Sequence, residues 1–373
     1  RCEQVRIDST GARAHKRMTS YKKIVVKVGS RVISDSGKLD EGAVRSIVSQ
    51  IAELRSRGIE VVLVTSGATA TGKELLAMKK PTHTIDERQV FASVGQIRLM
   101  YLYAKFFSEL GHLCGQILVT KGDFRDREHY ANIKHCFQNL LAKGIIPVVN
   151  ENDAIAISEL IFSDNDELAG LIASQLNADA VIILTSVDGV MIGEGAKTMA
   201  VPEIYADTAS EIEKYIDASI SASGRGGMKT KFDVAKKLMK QGIVVHIVNG
   251  TGEHPILDVV EGKPFGTKFV PEKKLSAVKR RLAHAEGFAT GVAYVNRGAE
   301  EILLTKKAVS LLPIGVTKID GSFRKGDVIE VRGESGKKLG FGISQCDSVV
   351  AKEAVGKKGA RPLIHCDYLF IGR

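Results

Sequence analysis

The sequence predicts an α/β protein in two parts: a mostly parallel central sheet covered by helices, then a small β-rich C-terminal domain. Three observations lead there. From about Tyr21 to Val270, apolar runs of strand length alternate with stretches whose apolar residues recur at helical spacing. Such alternation builds βα units and a parallel sheet buried on both faces. From Gly287 onward, short strand-like runs are punctuated by Gly321, Gly326, Gly333, Gly336, Gly340 and Gly342. Finally, 373 residues with 44 % apolar content suffice for two ordinary domains with a substantial core. The expected division is residues 1–20 as a disordered or expression-derived segment, 21–270 as the α/β domain, 271–284 as a linker and 285–373 as the β domain.

The elements follow in order. KKIVVKVGS is a strand ending in Gly29. Val44, Ile47, Val48, Ile51 and Leu54 recur at helical spacing, with Asp40 as N-cap and Gly58 past the last turn. Val61–Val64 is the next strand. Asp86 to Leu110 is a long helix whose apolar residues cover more than one face, which implies deep burial or a subunit contact. Gln116–Thr120 reads as a strand, His129–Lys143 as a helix stopped by Gly144, and Ile145–Val149 as a strand. Asp166–Leu176 is a helix, Ala180–Leu184 a strand, Met228–Gln241 a helix and Ile243–Val248 a strand. In the tail, VIEVRGESGKKLGFGI reads as two strands around a turn.

Composition narrows the function class. No apolar run reaches the roughly 18 residues of a membrane span. The five cysteines are scattered without C-x-x-C spacing, so a reducing cytoplasm is expected and a structural zinc site is not. The net charge of +10 sits at the two ends: residues 271–373 hold 19 Lys and Arg against 11 Asp and Glu, and the first 23 hold 7 against 2. A basic tail fits a nucleic acid or another polyanion; a well-solvated surface explains it equally. The N-terminal stretch RCEQVRIDSTGARAHKR lacks periodicity, and Met18 reads as a natural start. A transit peptide is the second reading of that segment.

The chemistry begins with Lys27, set among Ile and Val near the C-terminal end of a central strand. Open parallel sheets bind ligands beyond strand ends of that polarity. A buried ammonium is costly unless an anion meets it; snorkelling to the sheet edge is the alternative. Gly29, just after it, would let a phosphate approach the backbone. Further on, VVLVTSGATATGKELL resembles a P-loop in spacing, with Gly67, Gly72 and Lys73 in place. Glu74 stands where a P-loop needs Ser or Thr for Mg²⁺. Ser66 and Gly67 are therefore read as an anion-cradling βα turn, or simply as a glycine-rich one. NENDA, Asn150 to Ala154, ends a strand, and SDNDELAG, Ser163 to Gly170, opens a helix. Asp164 or Asp166 would cap that helix, yet both clusters fall at the ligand edge, where carboxylates and an Asn suit a substrate ammonium or the orientation of nearby lysines. In GRGGMKTKFDVAKKL, glycines precede a helix whose first turn holds Lys229, Thr230 and Lys231. Lysines oppose the dipole there, which makes sense if a polyphosphate faces them; a flexible basic loop is the alternative.

Together KVGS, VTSGA, the VGQ of Val94–Gln96, the NENDA and DND pair, and GGMKTK resemble the amino-acid kinase superfamily, in particular its glutamate 5-kinase branch. The likeness covers nearly the whole chain after Met18. The tail, with SLLPIGV and the GSFRKGD turn, is similar to a PUA domain. The resemblance implies an amino-acid-kinase-like sandwich with a small β-barrel behind it. It implies ATP as co-substrate with Mg²⁺ held mainly by phosphates and water, L-glutamate as acceptor, γ-glutamyl phosphate as product, proline biosynthesis as setting and proline as end-product inhibitor. It implies that Lys27 and Lys231 stabilise the transferring group and that Asp166 orients both. It implies glutamate contacts from Ser66, Gly67, Ala68, Asp153 and Asn165, with Asp153 taking the ammonium. Nucleotide contacts would come from Lys27, Gly29, Thr185, Ser186 and the segment Arg225, Gly226, Gly227, Met228, Lys229, Thr230 and Lys231.

A carboxylate with pKa about 4.3 is already ionised at neutral pH and needs no general base, so positioning and positive charge must do the catalysis. Ser186 stands where the family usually has Asp, and Arg225 and Lys229 stand where small polar residues are usual. The rival readings are a relative acting on aspartate, N-acetylglutamate or uridylate, and an RNA-binding protein using its basic tail. A homo-oligomer, dimer or tetramer, is expected from the long apolar helix, and no membrane partner.

Overall fold

The computed structural model describes residues 21–35, 37–77, 84–155, 165–192, 199–218, 227–271, 278–279, 282, 289–305 and 308–372. In chain order the α/β part comprises β1 (Lys23–Val28), β2 (Ser34–Asp35), β3 (Lys38–Leu39), α1 (Glu41–Ser56), β4 (Glu60–Val64), α2 (Ala68–Leu75) and α3 (Ile85–Glu109). There follow β5 (Cys114–Val119), α4 (Lys121–Arg125), α5 (Arg127–Ala142), β6 (Ile146–Glu151), α6 (Asn165–Leu176) and β7 (Ala180–Thr185). The last group is β8 (Met191–Ile192), β9 (Met199–Ala200), β10 (Glu203–Ile204), α7 (Ala209–Ala218), α8 (Met228–Lys240), β11 (Val244–Asn249), α9 (Pro255–Val260) and β12 (Thr267–Phe269).

Eight of these strands form one sheet in the order β10-β12-β11-β7-β1-β4-β6-β5. β1 lies between β4 and β7, parallel to both. β11 joins β7, and β6 joins β4 and β5, all in parallel. Only the β11–β12 pairing is antiparallel in this sheet. The predicted mostly parallel sheet is therefore present, with an added edge of β10 and β12. No element was predicted for β10 and α7, which precede α8, or for β12, which follows β11. The strands there are two or three residues long, too short for a period to register.

Both faces of the sheet are covered, so the strands read as continuous apolar runs. Side chains alternate across the sheet. Ile24, Val26 and Val28 join the core beneath α1, α3 and α9. Val25 joins the opposite core, built with Leu168 and Ile172 of α6 and Phe232 and Val234 of α8. Lys27 follows Val25 by two, so its side chain enters the α6–α8 side. The parallel strands end together: Lys27, Val64, Asn150 and Thr185 lie along one edge.

The second sheet has the order β14-β13-β15-β16-β17, from β13 (Gly291–Val295), β14 (Val316–Gly321), β15 (Val328–Arg332), β16 (Lys338–Ile343) and β17 (Leu369–Ile371). β15 and β16 are the antiparallel pair read from VIEVRGESGKKLGFGI. The domain also carries helices Arg297–Thr305 and Ser348–Ala354. Leu282, within the 271–284 stretch, is buried against Val328 and Phe341.

Candidate active site

The strand ends bring together a buried ionic trio. Asp166, in the first turn of α6, is fully buried. Its Oδ1 meets Lys27 Nζ at 2.7 Å and its Oδ2 accepts from Lys231 Nζ at 2.8 Å. Lys27 and Lys231 are themselves only 5 % and 8 % exposed, so neither ammonium is left to water alone. Burial pushes the Asp166 carboxyl upward, but the adjacent ammonium groups of Lys27 and Lys231 override it and hold it below the usual carboxylate range. The trio keeps a net charge of +1. Capping, the other reading of Asp166, does not describe it: it lies inside the helix and spends both oxygens on lysines.

Each member has a local reason for its place. A carboxylate in the first turn of a helix suits the macrodipole. Lys231, in the first turn of α8, opposes its own helix dipole. That turn has no side-chain cap and no acidic residue. Asp166 supplies the missing anion from across the α6–α8 contact. Gly29 keeps an ordinary φ of −71°. Its N–H donates to Leu184 O at 3.2 Å, and a Cβ there would lie 3.2 Å from the same oxygen. The first turn after β1 is thus drawn tightly against β7.

A chain of amides runs beside the trio. Asn165 Nδ2 lies 2.7 Å from Thr65 O, 3.0 Å from Ser66 Oγ and 3.0 Å from Asn150 Oδ1. Asn150 Nδ2 donates in turn to Gln96 Oε1 at 2.9 Å. α6, β6 and α3 are thereby tied to the Ser66–Gly67–Ala68 turn. Gly67 has φ +105° and caps α2, a conformation that favours glycine. Gly72 and Gly95 lie where α2 and α3 touch: a Cβ on Gly72 would fall 1.8 Å from Phe91 O, and one on Gly95 1.9 Å from Ala68 O. The P-loop look-alike is therefore mostly helix, and its second glycine serves packing.

Asp153 lies beyond this turn. Its Oδ1 accepts from Arg88 Nη2 of α3 at 2.5 Å, and the same nitrogen lies 3.5 Å from Glu151 Oε2. Burial raises the Asp153 carboxyl, with Arg88 and a hydrogen bond from Thr69 acting against the shift.

On the other side of the trio, Thr185 ends β7, and its carbonyl accepts from Gly250 N at 2.8 Å. Ser186 is exposed. Asn249 Nδ2 donates to Asp188 Oδ1 at 2.8 Å close by. Gly227 caps α8, Met228 packs on the core, and Thr230 is half-buried. Lys229 is not brought to the trio. Its ammonium pairs with Glu213 of α7 at 2.6 Å and with Asp233 at 3.5 Å. Two residues apart on one helix, Lys229 and Lys231 point to different faces. Arg225, Gly226 and Asp164 lie outside the described residues.

Sequence reasoning gave no role to Gln96, Asn150, Arg88 or Asn249. The VGQ and NENDA motifs contain the first two. Arg88 carried no local signal, because its partner is 65 positions away. Among the described residues, the one group with metal-ligand character is His365, Cys366 and Asp367 of the second sheet's domain. No helix among them is long and apolar enough to cross a membrane.

Residues 22–249 match the model of the Amino acid kinase family, and residues 291–365 match that of the PUA domain. The chain is 45 % identical to Glutamate 5-kinase of Chlorobaculum tepidum, across 94 % of this chain and 98 % of that protein. It is 42 % identical to Glutamate 5-kinase of Bacteroides thetaiotaomicron, across 94 % and 99 %. It is 36 % identical to Glutamate 5-kinase 1 of Bacillus subtilis, across 90 % and 93 %. Carbamate kinase from Giardia lamblia, solved with AMP-PNP, shares the fold at a TM-score of 0.51 and 16 % identity, covering 68 % of this chain and all of that one.

Proposed function

The chain belongs to the amino acid kinase family, and we infer that it transfers the γ-phosphoryl group of ATP to the side-chain carboxylate of L-glutamate. The acceptor follows the relatives at 36–45 % identity, each named for glutamate and matched over nearly its full length. The observation that carries the chemistry is the trio in which one buried carboxylate, Asp166, grips Lys27 and Lys231.

A γ-carboxylate oxygen attacks the γ-phosphorus, the bond to the β,γ-bridging oxygen breaks, and ADP leaves. No proton has to move, since the acceptor is already an anion. The barrier is repulsion between two anions, and fixed positive charge lowers it. Lys27 reaches in from β1, and Lys231 from the uncapped end of α8, on the nucleotide side. Asp166 holds the two ammonium groups at a fixed spacing, so little reorganisation remains for the reacting state. Ser66, Asn165 and the N–H groups of Gly67 and Ala68 lie on the acceptor side. Gly29, Thr185, Ser186 and Gly227 lie on the nucleotide side, and Asn249 joins them. Mg²⁺ enters as part of the nucleotide substrate, carried by its phosphates and water. The trio fits that arrangement, because Asp166 is committed to lysines and does not act as a metal ligand.

An ADP-release assay with glutamate, aspartate, N-acetylglutamate and uridylate tests the acceptor. Turnover on glutamate is expected; turnover on uridylate without glutamate overturns the reading. Inhibition by proline is expected in the same assay. Val90, Ile97 and Tyr101, all more than half exposed, share one face of α3, and we assign that face to a homo-oligomer contact. Sedimentation of Ile97→Lys checks it: a lighter species is expected. The basic C-terminal domain motivates RNA as a further partner. A gel shift that weakens steeply with salt is the expected sign, and no shift at low salt excludes it.

A further inference from the structure

We propose that Arg88 and Asp153 together form the receptor for the zwitterionic head of the acceptor, with Arg88 taking its α-carboxylate and Asp153 its ammonium. The inference rests on the glutamate reading and adds a specificity-determining residue to it. Glutamate presents three charges. The γ-carboxylate must reach Lys27 and Lys231. The head, one cation and one anion, requires the opposite pair some distance along the acceptor side.

Arg88 and Asp153 supply that pair. Asp153 is held both by Arg88 Nη2 at 2.5 Å and by Thr69, one residue past the Ser66–Ala68 turn. The head site is thus joined by a short span of α2 to the groups facing the γ-carboxylate. Arg88 remains 31 % exposed along its side chain. Its hydrogen bonds to Glu151 and Asp153 both use Nη2. Among the described residues, Nε and Nη1 have no partner. Nε and Nη1 lie on separate edges of the guanidinium, and either can give a carboxylate a charge-assisted N–H bond. Arg88, Asp153 and Glu151 sum to one negative charge, so the site admits an ammonium without accumulating positive charge. An acceptor without a free ammonium, such as N-acetylglutamate, would leave Asp153 unanswered.

The competing account is that Arg88 only fastens α3 to β6 through Asp153. Analogues separate the two. γ-Aminobutyrate keeps the reacting carboxylate and the ammonium but lacks the α-carboxylate; glutarate keeps both carboxylates and lacks the ammonium. Arg88→Gln should raise the KM for glutamate by roughly 10- to 100-fold, the worth of a charged hydrogen-bond pair, with kcat changed by no more than a few-fold. The same variant should leave kcat/KM for γ-aminobutyrate, or its Ki as a competitor of glutamate, within about threefold of wild type. Asp153→Asn should show the complementary pattern, with a large loss on γ-aminobutyrate and a small one on glutarate. Equal losses on glutamate and γ-aminobutyrate in Arg88→Gln would assign Arg88 to structure alone and overturn the proposal. Arg88→Lys keeps the charge and loses the fixed N–H directions of the guanidinium; it should give an intermediate KM if the first variant does not fold. A normal glutamate KM in Arg88→Lys counts against a contact made through the guanidinium N–H groups. If the wild-type enzyme turned over another acceptor and not glutamate, the underlying reading would fail, a result distinct from either variant's.

Discussion

Two segments of this chain look alike in sequence and part in structure. Gly67 to Lys73 and Gly227 to Lys231 each begin with a glycine that caps a helix and end with a lysine on it. In the first, the lysine stands in the last turn of α2, exposed, at the helix end whose dipole favours a cation. Its second glycine, Gly72, is required because α3 passes against it. In the second, the lysine stands in the first turn of α8, buried, against its dipole, and bound to Asp166. A cation placed where its own helix repels it, and where little water reaches it, is there for an anion. The same residue types at the favourable end are surface.

The comparison can be broken at its anion first. Asp166→Asn leaves two buried ammonium groups without their carboxylate and should destabilise the fold by about 3–5 kcal/mol while abolishing measurable turnover. The Asp166 pKa is lower folded than unfolded. Its contribution is therefore complete above the unfolded value of about 3.9 and is lost as pH falls through the folded one. Urea unfolding of wild type and Asp166→Asn should differ most above pH about 4 and converge below it. A constant difference across that range would remove the ionic explanation.

Lys231→Ala comes next. Its charge matters most in the transition state, so kcat should fall on the order of 10²- to 10³-fold with a smaller change in glutamate KM. An unchanged kcat would take Lys231 out of the mechanism. The glycines should divide the other way. Gly72→Ala forces α2 and α3 apart and should cost about 1–3 kcal/mol in thermal or urea unfolding. Among the described residues a Cβ on Gly227 meets no atom within 4 Å, so Gly227→Ala should leave stability nearly unchanged while raising the KM for ATP. The smallest effect belongs to Lys73→Ala, with stability within about 0.5 kcal/mol and kcat as in wild type. A loss of activity there would restore a phosphate-binding role to the first segment.

How much of the site was legible depended on how local its logic is. Lys27 was visible because a charge inside an apolar strand violates the pattern around it. Lys231 was visible because it opposes its helix dipole. Asp166 was ambiguous, since a carboxylate opening a helix has an ordinary explanation. Lys229 gave the same signal as Lys231, yet it faces α7, where Glu213 takes it. Arg88 gave no sign, because the carboxylate it meets lies 65 positions away.

The sequence by itself determined the alternation of strand and helix, the sheet edge at which Lys27, Ser66 and Asp166 gather, and the character of the β-rich tail. Those features rest on period-2 and period-3.6 patterns and on glycine placement, which are properties of short windows. Only the tertiary structure decided which anion each cation meets: Asp166 for Lys27 and Lys231, Glu213 for Lys229, Asp153 for Arg88. Charge pairing acts through space over a few ångströms and between residues tens to hundreds of positions apart, so no window along the chain contains it.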